Sequence, residues 1–218
     1  MHYHTVLFDL DGTLTDPREG LLNGLERALA TIGMTVEDRD SLEILIGPPA
    51  HDGFARYLGL TEPSLSVAVA AYREYVAQRG AFENRVIDGV PELLAELAGA
   101  GLSLAVATSK PTPTAMTVLD HFGLTSWFAF VAGADYTGDR QTKRDVIEHA
   151  LEELRLRSPE GVVMVGDREH DVIGARHLGV DSIGVLWGYG PRSELEDAGA
   201  DHVVETVGEL RELLLSRP

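Results

Sequence analysis

The sequence predicts an α/β fold in which a doubly wound parallel sheet carries an inserted α-helical domain. Short apolar runs rich in Val and Ile recur along the chain, and segments with helical periodicity lie between the later runs. Buried apolar strands that alternate with amphipathic helices are typical of a parallel sheet covered by helices on both faces. The predicted strands are residues 5–8, 102–107, 128–133, 161–166 and 182–186. The predicted helices between the later strands begin at Pro91, Thr114 and Lys143.

The alternation is interrupted between residues 17 and 84, where helical patterns follow one another and no strand is predicted. Sequential strands of one sheet need only one or two covering helices between them, so we expect these residues to form a separate helical domain. The predicted core domain therefore comprises residues 1–16 and 85–218, and the predicted helical domain comprises residues 17–84.

The composition limits the partners and the chemistry of the chain. Its 35 acidic and 18 basic residues give a formal net charge of −17, which opposes binding to nucleic acid polymers and to anionic membranes. No apolar run approaches the roughly 20 residues that span a bilayer. The absence of cysteine excludes disulfides, thiolate metal sites and cysteine nucleophiles. The N-terminus enters a strand without the pattern of a signal peptide, so we expect a cytoplasmic enzyme.

Polar side chains follow three of the predicted strands, at the edge where open parallel sheets bind their ligands. They are Asp9 and Asp11 after the first strand, Thr108, Ser109 and Lys110 after the second, Asp167 and Asp171 after the fourth, and Lys143 at the start of the helix after the third. Taken singly, each group is also explained by a turn or a helix cap. The parallel topology predicts that all of them meet on one rim.

The acidic residues of this rim predict a metal site. Two carboxylates about 4 Å apart repel each other by roughly 4 kcal/mol at an effective dielectric constant of about 20. Several carboxylates gathered together would therefore raise each other's pKa unless a cation joined them. Because the set offers only oxygen ligands, it favours a hard cation, and Mg²⁺ is the predicted cofactor.

The remaining side chains of the rim suit a phosphate group. The hydroxyl of Thr108 or Ser109, and the N–H groups of the helix that follows, can hold phosphate oxygens, while Lys143 supplies a compact positive charge. Lys143 and Lys110 are the only lysines of the chain, and both fall in the predicted site.

In chain order, the segments "FDLDGT", "ATSK", Lys143 and "GDREHD" resemble the four motifs of the haloacid dehalogenase superfamily. The similarity is to its phosphatase branch, in which a helical cap of the C1 type is inserted between the first and second motifs. It extends over essentially the whole chain and implies a Rossmann-like core with an inserted α-helical cap domain. It also implies that the cap opens and closes through hinges, which we place at residues 14–18 and 80–88.

The resemblance implies a role for each residue that handles the phosphoryl group. Asp9 is the nucleophile that becomes an aspartyl phosphate, and Asp11 is the general acid and base. Thr108, Ser109 and Lys143 position the phosphoryl group. An ionised carboxylate is repelled by a phosphate dianion, so Mg²⁺ and Lys143 must neutralise that charge and align the attack.

The resemblance also implies a ligand set for Mg²⁺. The ion is held by Asp9, by the backbone carbonyl of Asp11 and by Asp167. Asp171 is a ligand through water or a partner of the direct ligands.

Two other reactions of the superfamily do not fit the sequence. Dehalogenation does not use an acid two residues after the nucleophile, so Asp11 indicates phosphoryl transfer. Phosphonate hydrolysis needs a lysine in the cap, and residues 17–84 contain none.

Further segments look most like the 5′-nucleotidase-like and phosphoglycolate phosphatase-like group. They are residues 46–49, 79–94, 105–111, 166–175, 182–190 and 194–210. Around the third motif, "YTGDRQTKRDV" departs from the "DGTRxxK"-like pattern of that group, although Lys143 is in place. The expected partner is a small phosphorylated metabolite, of the nucleoside 5′-monophosphate or 2-phosphoglycolate class. We expect a monomer or a homodimer.

The leaving group would be contacted by the cap and the hinges. The candidate residues are His51, Arg56, Arg73 and Arg85, together with the cap loop at residues 46–49. Two alternatives to a phosphatase stay open. A phosphomutase of the β-phosphoglucomutase type shares all four motifs, and a non-enzymatic phospho-acceptor protein would retain phosphate on Asp9. The second alternative would need neither the helical insertion nor Asp11.

Overall fold

The computed structural model describes residues 3–135, 138 and 140–216. Its strands are β1 (Thr5–Phe8), β2 (Thr15–Asp16), β3 (Arg85–Val86), β4 (Ser103–Pro111), β5 (Phe130–Ala134), β6 (Val162–Gly166), β7 (Asp181–Val185) and β8 (His202–Val204). Six of them form one parallel sheet with the order β5-β4-β1-β6-β7-β8. The strand β1, which carries the first motif, therefore lies in the middle of the sheet.

Helices cover both faces of this sheet. The helices of the core are α4 (Val90–Gly99), α5 (Thr112–His121), α6 (Lys143–Glu153), α7 (Glu169–His177), α8 (Arg192–Ala198) and α9 (Val207–Leu215). Alternate residues of β1 pack on opposite sides, because side chains along a strand alternate between its faces. Val6 and Phe8 join a hydrophobic cluster with α4, α5 and α9, whereas Leu7 joins a second cluster with α6 and α7. The predicted doubly wound α/β fold is confirmed.

Two details of the sheet differ from the sequence prediction. The strand β8 was not expected, since its three residues are too few to show an apolar pattern. The strand β4 continues to Pro111 rather than ending at residue 107, because Pro111 still pairs with Ala134 after a register shift beyond Thr108. Thr108, Ser109 and Lys110 therefore lie within the irregular end of β4.

The residues between β2 and β3 are helical, as predicted. They form α1 (Arg18–Thr31), a 3₁₀ segment (Arg39–Leu45), α2 (Ala50–Leu58), α3 (Ser64–Tyr75) and a π-helical turn (Val76–Gly80). Their apolar side chains pack into a hydrophobic cluster of their own, with Leu25, Phe54 and Val69 among its buried members. We call these residues the cap; the domain boundaries at residues 17 and 84 stay a prediction.

The cap is joined to the core by a short antiparallel ribbon. Thr15 pairs with Val86 and Asp16 with Arg85, so both connections run side by side through the predicted hinges. Among the described residues, no helix combines the length and the apolar character needed to cross a bilayer.

Candidate active site

The polar residues predicted from the sequence lie together at the carboxyl edge of the sheet. Asp9 and Asp11 follow β1, Asp167 and Asp171 follow β6, and Lys143 is the first residue of α6. A cavity of about 420 Å³ between the core and the cap opens onto this edge, and Asp9, Asp11, Thr108 and Ser109 line it. The rim expected from the parallel topology is therefore present, while the roles of its residues stay predictions.

The turn after β1 determines where the two aspartates lie. The backbone N–H groups of Thr13, Leu14 and Thr15 all donate to the carbonyl of Leu10, which closes a tight loop. Gly12 adopts a φ of +81°, a conformation that glycine allows at no steric cost. A Cβ atom at Gly12 would lie 2.3 Å from Oδ2 of Asp167. The "DG" pair therefore makes the turn and also leaves room for the carboxylate of the fourth motif.

Lys143, which is itself the third motif, contacts residues of the other three motifs. Its Nζ lies 2.9 Å from Oδ1 of Asp9 and 2.7 Å from Oδ1 of Asp171, and it donates to the carbonyl of Ala107 at 3.1 Å. Burial alone would lower the pKa of Lys143, but the two carboxylates outweigh burial and raise that pKa. Lys143 is therefore protonated at neutral pH and holds a fixed positive charge beside Asp9.

The second lysine of the chain pairs with the second aspartate. Nζ of Lys110 lies 2.6 Å from Oδ2 of Asp11, and both side chains are largely buried. Burial raises the pKa of Asp11, whereas Lys110 acts in the opposite direction. The sequence placed Lys110 near the site but gave it no role.

Asp167 and Asp171 are held by backbone groups. Oδ2 of Asp167 accepts a hydrogen bond from the N–H of Tyr189 at 2.8 Å, and Oδ2 of Asp171 accepts one from the N–H of Arg168 at 3.1 Å. Burial, followed by the charges of Asp171 and Asp9, raises the pKa of Asp167 well above its usual range. Burial also raises the pKa of Asp171, although Lys143 opposes it.

The donor set fits a divalent cation. Asp9, Asp167 and Asp171 each offer a carboxylate oxygen, and these oxygens lie within 4.8 Å of one another. The buried Oδ1 of Asp11 accepts no hydrogen bond from any described residue. With Asp11 included, four carboxylates face two lysine ammonium groups, which leaves a formal charge of −2 in a buried site. A hard divalent ion with oxygen ligands, such as Mg²⁺, would neutralise that charge.

The two hydroxyl residues predicted to bind phosphate, Thr108 and Ser109, lie at the end of β4, which pairs with β1 on the side away from β6. Thr108 is buried, and its Oγ1 accepts a hydrogen bond from the N–H of Lys110 at 3.2 Å. Ser109 is partly exposed and lines the cavity. Both hydroxyl groups therefore belong to the same irregular segment that carries Lys110.

The cap supplies the other wall of the cavity. The loop of residues 46–49 contributes Gly47, Pro48 and Pro49, and His51 and Arg73 also line the cavity; their contact with a leaving group stays a prediction. Arg56 and Arg85 lie elsewhere. The guanidinium of Arg56 covers the ring of Tyr57, and Arg85 pairs with Asp16 in the hinge.

Sequence reasoning missed two residues that connect the site to the cap. Arg168 lies between the two aspartates of the fourth motif, and its guanidinium donates to the cap carbonyl of Ile46. Tyr189 donates its N–H to Asp167 and its hydroxyl to Oδ1 of Asp16, at 2.5 Å, in the hinge. The position of Arg168 inside the motif "GDREHD" was the one signal that could have identified it.

Comparisons with known proteins identify the family. A family profile described as haloacid dehalogenase-like hydrolase matches residues 6–185. The tyrosine-protein kinase PtkA of Mycobacterium tuberculosis is 47% identical over 212 residues, which cover 96% of this chain and 72% of PtkA. A 5′-nucleotidase of Pseudomonas aeruginosa is 42% identical over 216 residues, which cover 99% of this chain and 97% of that protein.

A solved structure agrees with these relatives. The crystal structure of a predicted phosphatase from Clostridium acetobutylicum superimposes with a TM-score of 0.94 at 42% identity, covering 99% of both chains. More distant relatives are named phosphoglycolate phosphatase. The resemblance stated from the sequence is confirmed: the chain belongs to the haloacid dehalogenase-like hydrolases.

Proposed function

We propose that this protein hydrolyses small phosphate monoesters with Mg²⁺ as cofactor, through a phosphoryl group carried by Asp9. The observation that supports this proposal most is the position of Lys143. Its ammonium group lies 2.9 Å from Oδ1 of Asp9, and Asp9 lines a cavity that is large enough for a metabolite. A carboxylate that must attack a phosphate dianion needs a neighbouring fixed cation of this kind.

The proposed reaction has two steps. An oxygen of Asp9 attacks phosphorus, the bond from phosphorus to the ester oxygen breaks, and Asp11 donates a proton to the departing oxygen. Asp11 then takes a proton from a water molecule that attacks the phosphorus of the aspartyl phosphate. This second step releases inorganic phosphate and restores the carboxylate of Asp9.

The pairing of Lys110 with Asp11 suits these two tasks. Asp11 must carry a proton in the first step and lack it in the second, so its pKa should lie near the working pH. Burial raises that pKa and Lys110 opposes the increase. Thr108, Ser109 and Lys143 would hold the oxygens of the phosphoryl group during both steps.

Asp9, Asp167 and Asp171 would hold Mg²⁺ with the backbone carbonyl of Asp11, and their buried oxygens support that assignment. When bound, the ion would neutralise negative charge on the transferring phosphoryl group.

The cavity favours a leaving group larger than glycolate. Its volume of about 420 Å³ exceeds what a two-carbon acid would fill, and Leu21, Leu45 and Val76 give it an apolar wall. Lys110, Arg140 and His51 also line it, but each lies within 4 Å of a carboxylate of this chain. The carboxylate of 2-phosphoglycolate would compete with those partners for the three basic side chains. Between the two expected substrate classes, these features favour a nucleoside 5′-monophosphate over 2-phosphoglycolate.

The test is a comparison of kcat/KM for phosphate release with Mg²⁺, across nucleoside 5′-monophosphates, 2-phosphoglycolate and β-glucose 1-phosphate. We expect at least one nucleotide to exceed 2-phosphoglycolate by about tenfold or more, which corresponds to roughly 1.4 kcal/mol. Isomerised sugar phosphate would support the phosphomutase alternative instead, and phosphate that stays on Asp9 would support the phospho-acceptor. Transfer from ATP to tyrosine, the activity in the name of PtkA, would also contradict the proposal.

A further inference from the structure

Arg168 is a charged core residue whose side chain is almost completely buried beneath the cap. It follows Asp167 at the end of β6 and immediately precedes α7. Only 8% of its side chain is exposed. Arginine is rarely buried to this extent without partners that satisfy its charge and its N–H groups.

The partners of Arg168 come from both domains. Nε lies 2.7 Å from Oε1 of Glu194 in α8, and the same carboxylate oxygen accepts the N–H of Glu169 at 2.9 Å. Nη1 donates to the backbone carbonyl of Ile46, which is the first residue of the cap loop 46–49. The charge of Arg168 is therefore balanced within the core, while one of its hydrogen bonds is made to the cap.

The loop is shaped to lie against this guanidinium. Gly47 has a φ of +107°, and a Cβ atom there would lie 3.1 Å from both Cγ and Nη1 of Arg168. Ile46, which is 1% exposed, packs with Leu21 and Val76 of the cap. A loop held on one side by these apolar contacts and on the other by Arg168 has little freedom to move while the cap is closed.

Arg168 differs from the residues that would meet the substrate. It does not line the cavity, whereas Gly47, Pro48 and Pro49 of the loop do. Any effect of Arg168 on the substrate must therefore pass through the loop. Because its bond to Ile46 joins the core to the cap, movement of the cap away from the core would break that bond and leave the pair with Glu194 intact.

We propose that Arg168 is a positioning residue that holds the cap loop 46–49 closed over the catalytic edge of the sheet. The bond to Ile46 stabilises the closed arrangement alone, so it shifts the equilibrium between open and closed forms toward closure. Arg168 adjoins Asp167, so its hydrogen bond to Ile46 also sets the position of the closed loop relative to the carboxylates of the fourth motif. This inference rests on the proposed function only for the expected change in KM, which presumes phosphatase activity.

The structural test measures cap closure without turnover. The chain has no cysteine, so spin labels can be placed at Val67→Cys on the cap and Glu148→Cys on the core, both of which are exposed. Arg168→Met keeps an unbranched side chain but removes the guanidinium group that donates to Ile46. We expect the ratio of open to closed forms to rise by about tenfold or more, as for loss of one hydrogen bond from a charged donor. Arg192→Met, which removes an exposed arginine of α8, is the matched control and should leave the distances unchanged.

The kinetic test uses para-nitrophenyl phosphate with Mg²⁺. We expect Arg168→Met to raise KM, by at most the factor by which the ratio of open to closed forms rises, while kcat falls less, because the closed form must first be reached. Gly47→Ala alters the same contact from the loop side, and should change the spin-label distances in the same way if Arg168→Met folds poorly. Unchanged distances and unchanged KM in both variants would overturn the inference. A wild-type protein that releases no phosphate, but whose cap still opens in Arg168→Met, would overturn the proposed function and leave this inference standing.

Discussion

The ammonium group of Lys110 lies 2.6 Å from Oδ2 of Asp11, and both side chains are shielded from solvent. An isolated carboxyl group in this position would be hard to ionise, because burial and the nearby charge of Asp9 both raise the pKa of Asp11. Lys110 offsets part of that increase. Burial and Lys110 are the two largest influences on the pKa of Asp11, and they therefore have the greatest effect on the pH range in which it can exchange protons.

Replacing Lys110 with Met should shift the pH profile of the reaction. Without the ammonium group the pKa of Asp11 rises further, because a close opposite charge no longer favours the ionised form. Formation of the aspartyl phosphate needs protonated Asp11, so the basic limb of kcat/KM should move to higher pH. The profile should be measured at saturating Mg²⁺. Lys110→Arg keeps the charge, so the basic limb of its pH profile should stay at the wild-type position. Identical profiles in the wild type and both variants would contradict this role of Asp11.

Replacing Asp9 with Asn should abolish turnover without unfolding the protein. Removal of a covalent nucleophile lowers kcat by about 10⁴-fold or more. The fold should persist, since Lys143 keeps its contact with Asp171 and its hydrogen bond to Ala107. Phosphate release and thermal unfolding should be measured on the same preparations. Asp197→Asn, on the exposed side of α8, is the control, and normal activity in Asp9→Asn would rule out the proposed nucleophile.

Much of the site follows from the sequence because parallel strands end at one edge. The apolar pattern located β1 and β6, and the structure shows that these strands are neighbours, which brings Asp9 and Asp167 together in the middle of the sheet. The capping box at Thr142 and Asp145 starts α6 at Lys143, which directs that lysine to the same edge. These residues were predictable because local sequence patterns show where their strands and helices begin and end. The parallel topology then places those ends at the same edge of the sheet.

The contacts between the cap and the core could not be predicted in the same way. The bond from Arg168 to Ile46 joins residues 122 positions apart, and it depends on how the cap is oriented over the sheet. No pattern of polarity or spacing encodes that orientation. The hinge contact between Tyr189 and Asp16, across 173 positions, is of the same kind. The sequence indicated what the edge of the sheet contains, but not what covers it.

Magnesium should stabilise the protein more at pH 7.5 than at pH 5.5. The pKa values of Asp167 and Asp171 are raised in the folded state, chiefly by burial, so their ionised forms lower the stability of the metal-free fold. That cost decreases as the pH falls from neutral toward the unfolded value of 3.8, because the folded state then takes up protons. Protons and Mg²⁺ therefore compete for the same oxygens.

The size of this effect follows from mass action. At a Mg²⁺ concentration of about 100 times Kd, binding adds about 2.7 kcal/mol, or roughly 5–10 °C in Tm for a chain of this length. The measurement is thermal unfolding with EDTA or with Mg²⁺ at both pH values. Asp167→Asn should lose most of the increase at pH 7.5, and an undiminished increase in that variant would mean that Mg²⁺ binds elsewhere.

In the hinge, one carboxylate makes both a partly buried hydrogen bond and an exposed ion pair, so the two contributions can be compared. Oδ1 of Asp16 accepts the hydroxyl of Tyr189, and Oδ2 accepts Nε and Nη2 of Arg85 at 2.9 and 2.7 Å. Burial would raise the pKa of Asp16, but the bonds from Tyr189 and Arg85 outweigh it and lower that pKa. The carboxylate is therefore ionised at neutral pH, and the stability it contributes is lost only as the pH falls through that lowered value.

Tyr189→Phe should lower the free energy of unfolding by about 1–2 kcal/mol at pH 7, since it removes a bond to a charged group and leaves the ring in place. The ring still packs against Leu21, Ile46 and Val76, so the loss should come from the hydroxyl alone. Arg85→Gln should have no measurable effect, because 80% of the Arg85 side chain is exposed and solvent screens the pair. Urea unfolding of the two variants at pH 7 makes the comparison. A larger loss in Arg85→Gln than in Tyr189→Phe would show that the ion pair within the hinge stabilises the protein more than the hydroxyl of Tyr189 does.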